Sequence, residues 1–484
     1  MKKISALLLA VLFCVFALFS CENVEYITDE SGAEEETVSD IYDELLSTLP
    51  DISDSTSGGN NLPDTGNYRK FYVATDNKTV FDGGEDNSGS VNKATKDRNE
   101  FLKEKYGIEI VAENENPKNI AENIKSGTNK YDLLAFSARA TANLYIHNLL
   151  YDMNRLPDFV IDDRFFDAKL ATSLATNKTL YMMPDATAQI YDNIYVMFFN
   201  RDLVAKTNIS DPETLVQQGK WTWDSMNEIM KQASTSMHKS GADINKDIFG
   251  YGAYNREGSF PTVMWASSGK PYIKDTYRKE VKLSLTTDEI VENTANLYKY
   301  YNSKALMPVE KNDLANAFLD NRLVFMCHRL DYLKALRDGT EKGKEFGILP
   351  MPKLYESQEN YSCYVSADSR ILSVPKDPKD PKLTSAVLTA NSAAGRDTQK
   401  NAFINSYIAM YLNTNAETVM LKTILDSMTF DFCAVYGSEI REIRYASTNA
   451  VINALDVGDN IRNTLNYRIR GFNEALEKYF NNSP

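Results

Sequence analysis

Histidine is nearly absent from this sequence. Three occur in 484 residues, His147, His238 and His328, and none is spaced to form a metal-binding pair. HExxH, CxxC, GxSxG and P-loop patterns are missing too, which argues against the common zinc, nucleophile and nucleotide machineries. Five cysteines are too few and too scattered for a disulfide framework. Cys327, Cys363 and Cys433 read as buried apolar thiols, with a single bridge among them left open. There is no internal repeat, and no cofactor is implied.

Basic residues are missing from one whole stretch. Residues 22–68 hold thirteen acids and no Lys or Arg, a composition that self-repels and cannot bury a core. The DSTSGGNN tail of this segment favours a flexible tether, about 35–40 Å end to end. Most of the formal charge of −14 therefore sits there, and with Lys2 and Lys3 set aside, residues 69–484 carry only −3. A nearly neutral folded part has no basic footprint for nucleic acid.

One long apolar run is present, ISALLLAVLFCVFALFS at residues 4–20, preceded by two lysines. Charge and length make it an export signal, at the short limit for a spanning helix. Its end, LFSC, resembles the lipobox of bacterial lipoproteins, with Leu18, Ser20 and Cys21 in the expected places and a bulky Phe19 between. The resemblance implies cleavage before Cys21 and lipidation of its thiol, since several acyl chains make a stable anchor. An uncleaved helix or an ordinary signal is the alternative.

With 43% hydrophobic content, the remainder can bury a sizeable core. It alternates strand and helix. FYVAT (71–75), IEIVAE and YDLLAFS (131–137) read as strands. VNKATKDRNEFLKEKYG, PKNIAENIKSG and ATANLYIHNLL read as helices, the first two closing on Gly107 and Gly127. Such alternation implies parallel βαβ units. Ligands in these sheets bind beyond the carboxyl ends of strands, which nominates Thr75 and Asp76, then Phe136, Ser137 and Arg139. Helix capping or surface exposure explains each of these equally well.

A second α/β unit fits residues 200–360, and the tail from KLTSAVLTANSAAGR onward is mostly helical by period. In GKWTWDSMNEIMKQAS, Trp223, Met226, Ile229, Met230 and Ala233 fall on one helical face, with Thr222 as N-cap and Asp224 in the first turn. Ser225 and Glu228 offer a competing start. Trp223 belongs to a core stripe; Trp221 is undecided. DINKD (Asp243, Asn245, Asp247) resembles the opening of a calcium loop, but glycine is missing at its sixth position and Tyr254 stands at its twelfth. Aromatic residues near strand exits, beside Asp, Asn and Arg, suit a sugar, whose C–H face stacks on a ring while its hydroxyls take forked hydrogen bonds. By that logic Trp265, after the exit at Asn255, and Arg329, after a third exit, are candidates, weighed against burial and plain solvent exposure.

Taken in order, the acidic tether, VNKATKDRNEFLKEKYG, NKYDLLAF, YDMNRLPDF, IYVMFFNRDLV, GKWTWDSM, FGYGAY and FGILPMPK followed by NYSCYVS resemble the extracellular solute-binding proteins of carbohydrate ABC importers. The group is related to maltose-binding protein. The resemblance spans nearly all of residues 70–484, and no single motif carries it alone.

The resemblance implies an α/β, periplasmic-binding-protein-like fold: two lobes joined by a multi-segment hinge, with the ligand in the cleft between them. A signal peptide would occupy 1–20, a lipidated tether 21–68, the first lobe 69–190 with part of 366–430, and the second lobe 191–365 with 431–484. Crossings are expected near Ala188 to Asn193, Tyr361 to Ser366 and Asp431 to Tyr436. By the same likeness the cleft takes Phe136, Ser137, Asp185, the loop of Asn255 with Trp265, His328 with Arg329, and Tyr361. It also implies a monomer without enzymatic activity at the cell surface, membrane-anchored through Cys21, with a carbohydrate ligand and permease subunits as partners. Two rivals stay open. One is a secreted glycoside hydrolase pairing Asp185 with Asp76 or Asp331 across a sugar. The other is a binder of a peptide or other solute on the same fold.

Overall fold

The computed structural model describes residues 69–481 apart from 86–89, 162–165, 175–179, 181–188, 254–258, 275–280, 308–312, 340–344, 413 and 459. Cys21, the signal, the tether, Asp185 and Asn255 lie outside the described residues. No helix among those described is long and apolar enough to cross a membrane.

Among the described residues, nine of thirteen strands form two main sheets. The first has the order β2-β1-β3-β12-β4, from β1 (Arg69–Thr75), β2 (Ile108–Asn114), β3 (Leu133–Ser137), β4 (Leu150–Tyr151) and β12 (Arg370–Pro375). β1 lies parallel to β2 and β3, as βαβ connections require. The intervening helices Ser90–Tyr106 and Pro117–Ser126 end where expected. Gly107 (φ 64) and Gly127 (φ 72) adopt the left-handed turn that glycine enters without a Cβ penalty.

The second sheet has the order β10-β5-β9-β6, from β5 (Tyr195–Asn200), β6 (Phe249–Ala253), β9 (Leu323–Arg329) and β10 (Phe346–Leu349). Neither sheet is purely parallel, which differs from the simple βαβ expectation. β5 runs antiparallel to β9, and β12 antiparallel to β3 and β4. The physical reason is where each strand begins. Both follow directly on a crossing between lobes, so each starts at the cleft edge and runs away from it, whereas a βαβ strand ends there.

Three segments knit the crossings. Ile194 bridges Val365, and the Ser366 N–H donates to the Asn193 carbonyl at 3.0 Å. The short strand β11 (Cys363–Tyr364) pairs in parallel with β13 (Met428–Thr429). A small hairpin of β7 (Ile273–Lys274) and β8 (Lys282–Leu283) completes the set. The helices Pro381–Gly395 and Asn401–Tyr411 pack on Ser90–Tyr106 of the first lobe, whereas Asn415–Asp426 packs on β10 of the second.

That last contact is fixed by charge. Glu417, 1% exposed, accepts from Arg201 at 3.1 Å and from Arg337 at 3.2 Å. A buried carboxylate persists only when paired in this way.

The WTWD segment is structural throughout. Thr222 and Ser225 form a reciprocal capping box for the helix Trp223–Ala233. Trp223 is fully buried, stacks on Tyr300 with centroids 5.7 Å apart, and donates to Ser267 Oγ at 3.1 Å. Trp221 is equally buried, and its Nε1–H donates to the Pro350 carbonyl at 3.0 Å. The Trp221 carbonyl and the Trp223 N–H then bond the backbone of Lys353, joining WTWD to PMPK as one buttress. In the DINKD loop, Asp247 is already engaged by Lys239, Thr235 and the Asp243 N–H.

Candidate functional site

The carboxyl ends of β3 and β9 and the starts of β5 and β12 gather round a cavity of about 890 Å³. The first lobe contributes Arg139. The second contributes Tyr195, His328, Arg329, Asp331 and Tyr332, and the connecting segments contribute Tyr364, Ser366, Asp368 and Ser438. A fourth wall comes from the helical tail through Arg444, Tyr445, Thr448 and Asn449.

Its polar groups are held by one another. Arg329 donates from Nη2 to Asp331 at 2.7 Å and from Nη1 to Asn193 Oδ1 at 3.1 Å, linking the end of β9 to the first crossing. Arg139 Nε donates to Asp368 at 3.0 Å, linking the end of β3 to the second. The aromatic groups are paired as well. The His328 ring stacks on Tyr332 with centroids 4.1 Å apart, and Tyr195 lies 5.7 Å from Tyr364. Burial pushes the Asp331 carboxyl up while Arg329 pulls it down.

A smaller cavity of about 400 Å³ adjoins, sharing Asp331 and lined also by Asn77, Gln189, Asp192, Lys334 and Tyr407. Burial there pushes the Asp192 carboxyl up to about 6; a hydrogen bond from Tyr407 opposes the shift and Asp331 adds to it. Asp76, next to Asn77, is ion-paired with Arg370.

Of the residues nominated from sequence, Arg139, His328 and Arg329 share the 890 Å³ cavity. The other nominated residues that are described lie elsewhere. Phe136 is 1% exposed and opposite Ile371 in the sheet, so its ring belongs to the core. Ser137 Oγ accepts from the Ala140 N–H at 3.2 Å as a helix cap. Trp265 is 2% exposed and stacked on Tyr272 at 4.4 Å; with its ring faces packed it is a core residue, which corrects its nomination as a stacking platform.

Trp265 and Tyr361 line a separate cavity of about 630 Å³, set along residues 358–362 and 427–432 rather than at the strand ends. Tyr361 is turned aside, donating from its hydroxyl to the Val216 carbonyl at 3.1 Å. The 890 Å³ cavity is the candidate site, because the nominated arginines from strand ends, Arg139 and Arg329, meet there.

Sequence reasoning missed Tyr195, Tyr332, Tyr364, Asp368, Arg444 and Tyr445. Tyr195 opens β5 and Asp368 stands just before β12, both strands that run away from the cleft, so a rule that reads only strand ends passes over them. Arg444 and Tyr445 sit in a helical tail with no strand near them. Asp331, two positions past Arg329, is within reach of the same rule, although the sequence offers it only as a hydrolase carboxylate.

No family model matches this sequence, and no curated protein does. Solved structures do. A maltose-binding protein from Listeria monocytogenes, in complex with maltose, aligns at 13% identity over 84% of this chain and 98% of its own, TM-score 0.53. An extracellular solute-binding protein from Staphylococcus aureus, also with maltose, aligns at 13% identity over 86% and 99%, TM-score 0.54. UgpB from Mycobacterium tuberculosis, in complex with glycerophosphocholine, aligns at 13% over 84% and 98%, TM-score 0.52. These neighbours are binding proteins. At such identities the likeness carries the architecture and not the ligand. The chain therefore has the two-lobed, periplasmic-binding-protein-like α/β fold of maltose-binding proteins.

Proposed function

We propose that this protein is the substrate-binding component of an ABC importer, capturing a sugar or oligosaccharide between its lobes and delivering it to membrane permeases. The observation that carries this reading is the 890 Å³ cavity, where tyrosine rings and arginine–carboxylate pairs from both lobes line one space. Rings offer a face to a pyranose, and the pre-oriented polar pairs offer forked donors and acceptors to its hydroxyls. A ligand touching Arg139 on one lobe and Arg329 on the other binds the closed state better than the open one, and this differential affinity drives closure. No bond is broken.

Lipid on Cys21 would hold the monomer at the outer face of the cytoplasmic membrane, with residues 22–68 as spacer. In the hydrolase reading, Asp331 and Asp76 would have to act from ion pairs with Arg329 and Arg370. A second reading, a phosphate-containing or other non-sugar solute, draws on the glycerophosphocholine complex of a neighbour with the same fold.

Titration calorimetry with mono- and oligosaccharides, alongside glycerophosphocholine, tests the proposal. Saturable sugar binding without turnover is expected. Hydrolysis of a bound saccharide would refute it, and binding of glycerophosphocholine alone would favour the second reading.

A further inference from the structure

The three arginines of the cleft are not equivalent. Arg139 is paired with Asp368 and Arg329 with Asp331. Arg444 lines the same cavity with no carboxylate partner among the described residues. It is half-buried, its Nε is buried without a hydrogen-bond partner, and its guanidinium rests on the Tyr445 ring at 5.6 Å.

The nearest acids in sequence are occupied or turned away. Glu439 accepts from Asn143 at 2.7 Å. Glu442, two positions earlier on the helix Arg441–Ala446, faces a different side, because residues two apart do not share a helix face. Its stem lies against Gly471. Arg441 and Arg468 approach the same Tyr445 ring at 5.1 and 5.3 Å. Three guanidinium groups thus converge on one ring, that of Tyr445, which lines the cleft beside Arg444.

An unneutralised guanidinium in a cleft is costly unless a ligand pairs with it. Its planar fork matches the two oxygens of a carboxylate or phosphate, and the neighbouring cations raise the local potential toward anions. We infer that the sugar held by this cleft is acidic, and that Arg444 binds its anionic group, a uronate carboxylate or a phosphate ester. The inference rests on the sugar-capture reading and narrows its ligand class. Neutral hydroxyls fall to the paired arginines and the tyrosines; the charge falls to Arg444.

Calorimetry on the protein with matched probes tests it: neutral galacto-oligosaccharides, galacturonate oligosaccharides of equal length, and hexose phosphates. An acidic probe should bind at least tenfold more tightly than its neutral counterpart, with an affinity that falls as NaCl is raised. A preference for galacturonates identifies the carboxylate as the anion, and a preference for hexose phosphates the phosphate ester. Arg444→Gln should remove at least tenfold of the acidic ligand's affinity and lower a neutral ligand's by a distinctly smaller factor. Arg444→Lys, which keeps the charge and loses the fork, should fall between, and it carries the test if the Gln variant does not fold.

Neutral sugars binding as tightly as acidic ones, with Arg444→Gln without selective effect, would overturn the inference and leave sugar capture intact. Binding of no saccharide of either kind would overturn both.

Discussion

Trp223 and Trp265 were given opposite roles by the sequence, one core and one ligand platform, and the structure gives them the same one. Both are buried with their rings packed on tyrosines, so either Trp→Ala substitution should cost roughly 3–5 kcal/mol of unfolding free energy, measured by urea denaturation. Neither should act on sugar affinity in a variant that remains folded. Helical period revealed Trp223 because its neighbours repeat on one face. Trp265 carried no such signal: position after a strand exit is shared by residues that line a cleft and residues that plug the space behind it. Arg139 and Arg329 were legible for a simple reason, since long charged side chains at strand ends have few places to go except a cleft. Replacing Arg329 by Ala should weaken sugar binding by at least tenfold in calorimetry, because Asn193 and Asp331 lose their common donor.

At the scale of elements, the alternation of strand and helix up to residue 150 could be read directly, down to the closing glycines. Strand direction farther along the chain could not. Periodicity is blind to orientation, and β5 and β12 are reversed only because of where the chain enters each sheet. The helical tail was legible as helix but not by allegiance, which rests on contacts such as Glu417 with Arg201 and Arg337 that join residues some 80 to 216 positions apart. Glu417→Gln leaves two guanidinium groups facing a neutral amide in a buried site. The variant should lose about 3 kcal/mol of stability, seen as a lower Tm, with the helix Asn415–Asp426 gaining hydrogen exchange ahead of the rest of the second lobe.

For the whole molecule, pH enters through the connecting segments. Burial raises Asp192 and Asp431 to about 6, against an ordinary aspartate near 4. Between those values the folded state keeps protons that the unfolded chain has released, so stability falls as pH rises from about 4 to 6 and stays lower above 6. Asp192→Asn removes its share, about 2 kcal/mol given partial exposure. The Tm of this variant relative to the parent should therefore be higher at pH 7 than at pH 4; an unchanged difference would show that the group titrates normally. β12, finally, sets an order of events. The interior position between β3 and β4 is filled by a strand that the ribosome delivers some 220 residues after its neighbour β4. Until residue 375 has emerged, the early strands have exposed edges and nothing to close them, and such long-range pairing is slow to form. A fragment ending at residue 190 should therefore stay unfolded or aggregate, as circular dichroism and light scattering would report, and the first sheet should stay open during synthesis until most of the chain has been made.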